Sequence, residues 1–493
     1  MKTRVFLCLL ALLLAMMSCV ACDSSKIPDK DDETTESLEE ESTEEVAEEN
    51  KKALLNGVEL SKYSIVYDKD SVDYNKRAAE FIRDEIKVRT DIELAIVEES
   101  AAPKAGKHEI VVGETERDIS FYLDADTEGV EFALWASNGH IAMEGDYFVI
   151  AAAAYYFVET YITGEYFDSK VPEEVLICEP IQEKAENYIF LIGDGMGMYQ
   201  TLLFDVMGMP TSHEDYSDGE DLFYGYMLPY YGLARTNSYS NANRDFTITD
   251  SAAAGTALAS GYKTIRSILG KNYLKKDVKS LTEIAASIGM ATAVMSTDLV
   301  TGATPSAFSA HANDRYDTED IIASQAALVK SSGTILDCDY NFYNIEGLKT
   351  IENKITTNLN KLSENEKGFF LMYEEAHIDK HCHSRNMTDT FLSVVRFNQA
   401  IGLFMEYAFY HPNTFVLITA DHETGNLLPN GKGTYAYNSG DHSAQFVPVF
   451  AYGDGGELFE GKVIENTQIP KTIAKFWGCT ITGTDNDKYP ALN

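Results

Sequence analysis

Tyr188-Ile189-Phe190-Leu191-Ile192 followed by Gly193-Asp194-Gly195-Met196-Gly197 is the stretch that decides the fold of this chain. An unbroken apolar run of that length is a strand buried on both faces, and the glycines behind it force a turn. The same arrangement recurs downstream. Ala291-Thr292-Ala293-Val294-Met295 is one instance, and Gly368-Phe369-Phe370-Leu371-Met372-Tyr373, running into Glu374, is another. Phe415-Val416-Leu417-Ile418-Thr419 leads into Ala420-Asp421-His422, and Val447-Pro448-Val449-Phe450-Ala451 follows. Helical stretches, among them Leu281 to Ile288 and Phe391 to Tyr407, lie between these runs. The pattern predicts an α/β fold with a mostly parallel sheet and helices on both faces. In open sheets of this kind ligands bind beyond the carboxyl ends of the strands. Asp194, Glu374 and Asp421-His422 each follow a strand, so they are predicted to converge on one rim.

The residue types gathered there suit a metal. Asp379 and His383 are four apart in Ile378-Asp379-Lys380-His381-Cys382-His383 and share one face of a helical turn. His442 sits in Gly440-Asp441-His442-Ser443. Aspartate and histidine without a cysteine partner suit zinc at an open, catalytic site. Cys382 falls on another face from Asp379 and reads as structural. Thr249-Asp250-Ser251-Ala252-Ala253-Ala254 places Ser251 where an alanine-rich helix begins. Read alone, Ser251 is a helix cap. A helix start also favours an anion, and a serine there beside a metal can become a nucleophile.

Taken in order, these motifs resemble the alkaline phosphatase family over roughly residues 187–480. Phe190 to Gly197 is similar to that family's first metal motif, Asp250-Ser251-Ala252 to its nucleophile motif, and Ala303-Thr304-Pro305-Ser306-Ala307-Phe308 to the next one. The resemblance implies an alkaline-phosphatase-like catalytic domain with two Zn2+ and one Mg2+. It implies Asp379, His383 and His442 around one zinc, and Asp421 and His422 with Asp194 and Ser251 around the other. It implies Asp194, Thr304 and Glu374 around magnesium, and Arg315 as the grip on phosphate. The chemistry implied is hydrolysis of small phosphate monoesters through a phosphoserine on Ser251. One position departs from the family pattern: two residues before Thr304 the family usually has Asp or His, and this chain has Gly302. A phosphodiesterase of the same superfamily and a catalytically inactive surface-binding lipoprotein are the alternative readings. Arg315 favours the monoesterase, because a monoester's unsubstituted non-bridging oxygens are open to an arginine fork and diesterases resembling this fold often lack that arginine. The complete set of ligand positions tells against an inactive scaffold.

Upstream of residue 183 the pattern changes. Residues 53–182 read as a small α+β accessory domain, with a strand at Tyr63 to Tyr67, a helix over Asp73 to Thr90, a hairpin around Asn138-Gly139 and a helix over Phe148 to Ile162. Residues 183–493 form the catalytic domain. Residues 23–52 are so rich in Asp, Glu, Ser and Thr that they are expected to be a disordered tether. Residues 1–22 read as an export signal: Lys2 and Arg4 precede a short apolar stretch, and Cys19 or Cys22 offers a lipidation site of the bacterial lipoprotein type. The expectation is an exported protein held to the membrane by a lipid anchor. A net charge of −38 argues against nucleic acid as a partner. Members of the resembled family are commonly dimers, and no segment of this chain reads as an interface.

Overall fold

A computed structural model describes residues 52–70, 72–102, 104–119, 127–207, 222–338 and 345–481, with side chains omitted at 345–350. The segments expected to be an export signal and, as far as residue 51, an acidic tether lie outside the described residues.

Two sheets organise the chain. The first has six strands: β1 (Ser64–Tyr67), β2 (Ile96–Glu98), β3 (Glu109–Val112), β4 (Phe132–Ser137), β5 (His140–Glu144) and β6 (Leu176–Cys178), in the order β2-β1-β3-β5-β4-β6. Asn138-Gly139 makes the β4–β5 hairpin turn, with both residues at positive φ, 50° and 83°. The second has eight strands: β7 (Asn187–Gly193), β8 (Tyr230–Arg235), β9 (Ala291–Ser296), β10 (Ile335–Cys338), β11 (Phe369–Glu375), β12 (Thr414–Thr419), then β15 (Val447–Tyr452) and β16 (Val463–Glu465). A short two-stranded ribbon, β13 (Glu423–Thr424) with β14 (His442–Ser443), lies between β12 and β15 in the chain. The order of the large sheet is β10-β9-β11-β7-β12-β15-β8-β16. From β10 to β12 every pairing is parallel; β15 runs against both of its neighbours.

The apolar runs are explained by burial on both sides. Every residue of β7, β11 and β12 is buried. Side chains alternate along a strand, so β11 shows both faces at once. Phe369 and Tyr373 pack on helix α6 (Met387–Tyr410) through Tyr407, Phe397 and Phe404. Phe370 points the other way and stacks on Phe308 of helix α4 (Ala303–Ser309). Helices thus cover both faces, as the sequence predicts.

The six-stranded sheet carries helices α1 (Tyr74–Thr90) and α2 (Ile150–Tyr161), and both meet the catalytic layer at α6. Phe148 packs on Phe409, and Phe81 stacks on Tyr410 at 4.3 Å. One apolar core runs through both parts. Within that seam lies an ion pair. Arg77 Nε donates to both carboxylate oxygens of Glu406, at 2.8 and 3.0 Å, and Nη1 donates to Val72 O at 2.7 Å. Burial raises the Glu406 carboxyl, with Arg77 opposing that shift. Removing one partner of such a pair strands the other in a poorly solvated place. Arg77→Met is therefore expected to lower unfolding free energy by ~2–3 kcal/mol, with Arg77→Met/Glu406→Leu recovering most of the loss. Denaturant titration of the four proteins in that cycle checks it, and a double variant no better than the single one would refute it.

A candidate metal centre at the strand ends

Register puts the polar strand ends level. Ile192 of β7 pairs with Glu374 of β11 and with Thr419 of β12, and Ser296 of β9 pairs with the same Glu374. Four adjacent parallel strands thus end side by side. Asp194, Glu374 and the Asp421-His422 pair leave them in one direction, as expected. Gly195, at φ 77°, lets the chain turn there: a Cβ would lie 2.7 Å from the Asp379 Cα. That close approach seats helix α5 (His377–His383) against the rim and delivers Asp379 and His383. Ribbon pairing of Thr424 with His442 delivers the last histidine.

The other side of the site is built by two helices. Helix α3 (Ser251–Ser260) is buried along its whole length, which is why all but Leu258 of its residues are small. Its Gly255 lies close against α4: a Cβ would stand 3.1 Å from Ala307 Cβ and 3.3 Å from Thr304 Cα, tighter than usual packing. This contact sets Thr304 beside the rim, its buried hydroxyl near the Glu374 carboxyl and without a hydrogen-bond partner of its own. The structure corrects one reading. Ser251 is not the cap of α3 but its first residue; Asp250 is the cap, accepting from Ala253 N at 3.1 Å. The serine hydroxyl is thereby released from capping and lies 3.2 Å from His422 Nε2. The other Asp250 oxygen accepts from Ser267 N at 2.9 Å and stands 3.5 Å from Arg315 Nη1, steadying the arginine.

All ten residues named from the sequence are brought together. Two sets of donor atoms lie within 4.8 Å of one another: Asp379 with His422 and His442, and Asp194 with Asp421 and His422. His383 joins the first set, its Nε2 3.3 Å from Asp379 Oδ2 and 3.1 Å from His442 Nε2. His422 stands between the sets, its ring stacked on His442 at 3.7 Å. The sequence assigned it to one set alone.

These donors fit divalent cations on their own chemistry. Each of the three imidazoles has its Nδ1 occupied by an oxygen: His383 on Gly440 O at 2.7 Å, His442 on Thr249 O at 2.9 Å, His422 on Thr424 Oγ1 at 3.2 Å. An Nδ1–H spent on an acceptor leaves the Nε2 lone pair free, the tautomer a metal ligand requires. The Nε2 atoms of His383 and His442 face Asp379, and that of His422 faces Asp194 and Asp421. Asp194 Oδ1 and Asp421 Oδ2 are buried and accept no hydrogen bond. Burial pushes Asp194 well above the usual carboxylate range, with the charges of Asp421, Asp379 and Glu374 adding to it. Burial likewise pushes Asp421 up to about 7 and Glu374 to about 8. Burial would raise Asp379 as well, but the imidazoles of His383, His442 and His422 around it hold it well below its ordinary value. Four crowded carboxylates facing three lone pairs call for positive charge at their centre.

Some supporting residues were not found from the sequence. Thr424 donates to Asp379 Oδ1 while receiving His422 Nδ1–H, so one hydroxyl ties the two donor sets together. Glu423, buried, accepts from Gln200 Nε2 at 3.1 Å, from Leu427 N at 2.9 Å and from Ser443 Oγ, pinning the ribbon that carries His442. Both residues follow His422 directly, and that adjacency was the available signal. Cys382 is structural as expected. Its sulfur is 3.6 Å from Tyr437 Oη, and burial pushes the thiol up to about 12, so it is no thiolate ligand.

A sequence profile described as alkaline phosphatase matches residues 185–346 and 337–436, about half of the chain. Alkaline phosphatase 4 of Bacillus subtilis is 25% identical over 361 residues, covering 62% of this chain and 74% of that protein. The alkaline phosphatase of Escherichia coli is 24% identical over 381 residues, covering 55% and 78%. Among solved structures, alkaline phosphatase from the Antarctic bacterium TAB5 superposes with a TM-score of 0.51 at 27% identity, over 60% of this chain and 98% of that one.

Proposed function

Because this chain belongs to the alkaline phosphatase family, we propose that it is a metal-dependent phosphate monoester hydrolase working through a phosphoserine on Ser251. The observation that carries this reading is the Ser251 hydroxyl, freed from capping and 3.2 Å from the nitrogen that both donor sets share. Asp379, His383 and His442 would hold one Zn2+. Asp421, His422 and Asp194 would hold a second, and Asp194, Thr304 and Glu374 a Mg2+. A pair of zinc ions supplies Lewis-acid charge that neutralises phosphoryl oxygens and acidifies a neighbouring hydroxyl.

The chain's own groups do the rest. Ser251 Oγ attacks phosphorus; the bond to the ester oxygen breaks and the alcohol leaves. Water then attacks the phosphoserine, releasing phosphate and restoring the hydroxyl. The α3 N-terminus directs its free amides at the anion forming there. Arg315, steadied by Asp250, presents a planar fork that matches two non-bridging oxygens. His422 cannot serve as base while its Nε2 is a ligand; it orients instead. The leader-like residues 1–22 support an exported protein, lipid-anchored at Cys22 or Cys19, acting on small phosphate monoesters.

The test compares p-nitrophenyl phosphate with bis-p-nitrophenyl phosphate in the zinc- and magnesium-loaded protein. Monoester cleavage should dominate. Arg315→Ala should lower monoester kcat/KM by about 100-fold, the value of a lost charged fork, while leaving the slow diester rate nearly unchanged. Dominant diester cleavage by the unaltered protein would overturn the monoesterase reading.

A further inference from the structure

Position 302 leaves the proposed magnesium position with an unusual outer shell. Gly302 N donates to Leu299 O at 2.8 Å, closing a tight turn just before α4. A Cβ at 302 would stand 2.9 Å from that same carbonyl oxygen. The local backbone thus shuts out the Asp or His that the family usually has here. The same loop presents another carboxylate four residues earlier. Ser296, at the end of β9, donates its hydroxyl to Glu374 Oε2. Asp298 N donates to Ser296 Oγ at 3.0 Å, which leaves the serine proton directed at Glu374. The Asp298 side chain then forms an ion pair with Lys380 Nζ, across from the loop on α5. Lys380 directly follows the ligand Asp379, and its charge is felt at Glu374. Thr297, between the two, accepts from Ala376 N at 2.9 Å and faces His377 Nδ1 at 3.5 Å, locking the loop to the start of α5.

We propose that Asp298 is a positioning residue for the third metal position: by pairing with Lys380, which directly follows the ligand Asp379, it offsets an ammonium carried on the same helix as the donor set and so sets the affinity for a divalent cation. This rests on the reading of Asp194, Thr304 and Glu374 as ligands. Without Asp298, Lys380 would present an uncompensated charge to the incoming dication. Repulsion between a dication and a cation across a partly buried gap is large enough to weaken binding about tenfold, in line with what outer-shell changes do to metal affinity.

The experiment titrates Mg2+ alone into protein already carrying two equivalents of zinc, by calorimetry, with metal content measured by mass spectrometry. The unaltered protein should take one Mg2+. Asp298→Asn should bind it about tenfold more weakly with zinc content unchanged. Lys380→Met should bind at least as tightly as the unaltered protein, and Asp298→Asn/Lys380→Met should return to its affinity. Equal affinity in Asp298→Asn, or a double variant as weak as that single one, would overturn the proposal while leaving the metal position intact. Failure of the unaltered protein to take any Mg2+ would instead remove the third position itself, and the role of Asp298 with it.

Discussion

Ser251→Ala should abolish phosphatase turnover, lowering kcat by about 10⁴-fold or more, while the protein stays folded. The two halves of that expectation have separate causes. Turnover is lost because no other hydroxyl in the described site occupies the start of α3 beside His422 Nε2. Folding survives because the helix cap is Asp250, so alanine at 251 removes no capping bond. Alanine is also the better helix former, and the hydrogen bond to His422 that it removes is worth only ~1 kcal/mol. Melting should therefore shift by no more than a few degrees, and the two zinc ions should remain bound to their aspartates and histidines. Steady-state kinetics, a thermal melt and a metal assay on one preparation decide it. Substantial turnover in a zinc-loaded Ser251→Ala protein would end the covalent mechanism. Loss of zinc together with activity would show that the hydroxyl is needed to assemble the site.

Chelation should have an effect of similar size on activity and a visible one on stability. EDTA is expected to remove all monoester cleavage, with zinc restoring it. Stability should fall because the site without cations holds Asp194, Asp379, Asp421 and Glu374 close together and mostly out of water. A ligand that binds only the folded state at a thousand times its dissociation constant contributes ~4 kcal/mol, and its removal forfeits that amount. Differential scanning calorimetry with and without chelator measures the drop. A melting temperature that does not move, with activity fully retained in EDTA, would show that these side chains hold no cation that matters.

The supporting residues make both outcomes sharper. Thr424 bonds to Asp379 and His422 together, so the two donor sets are mechanically one. Glu423 pins the ribbon bearing His442 from beneath. Partial chelation is thus expected to loosen the neighbouring set as well as the one it empties, since ligand orientation depends on these shared partners.

Much of this was legible in the chain alone. Continuous apolar strands reported a sheet buried on both faces, because only double burial removes the need for alternation. Asp194, Glu374 and Asp421-His422 announced themselves by following such strands, and Asp379 with His383 by helical spacing. What the sequence could not say is how far apart these groups stand or who supports them. Whether Ser251 caps its helix or begins it turns on one residue of register, which composition does not encode. Thr424 and Ser296 are ordinary hydroxyls until strand pairing sets one beside Asp379 and the other beside Glu374. Gly302 read as a departure from the family pattern beside the magnesium ligands; only the turn at Leu299 shows that a Cβ there would crowd a backbone carbonyl. Residue types and their order determined the chemistry by themselves, because strand burial and metal preference depend on local composition. The tertiary structure decided the partnerships, because they join residues tens to hundreds of positions apart, where neither spacing nor periodicity carries information.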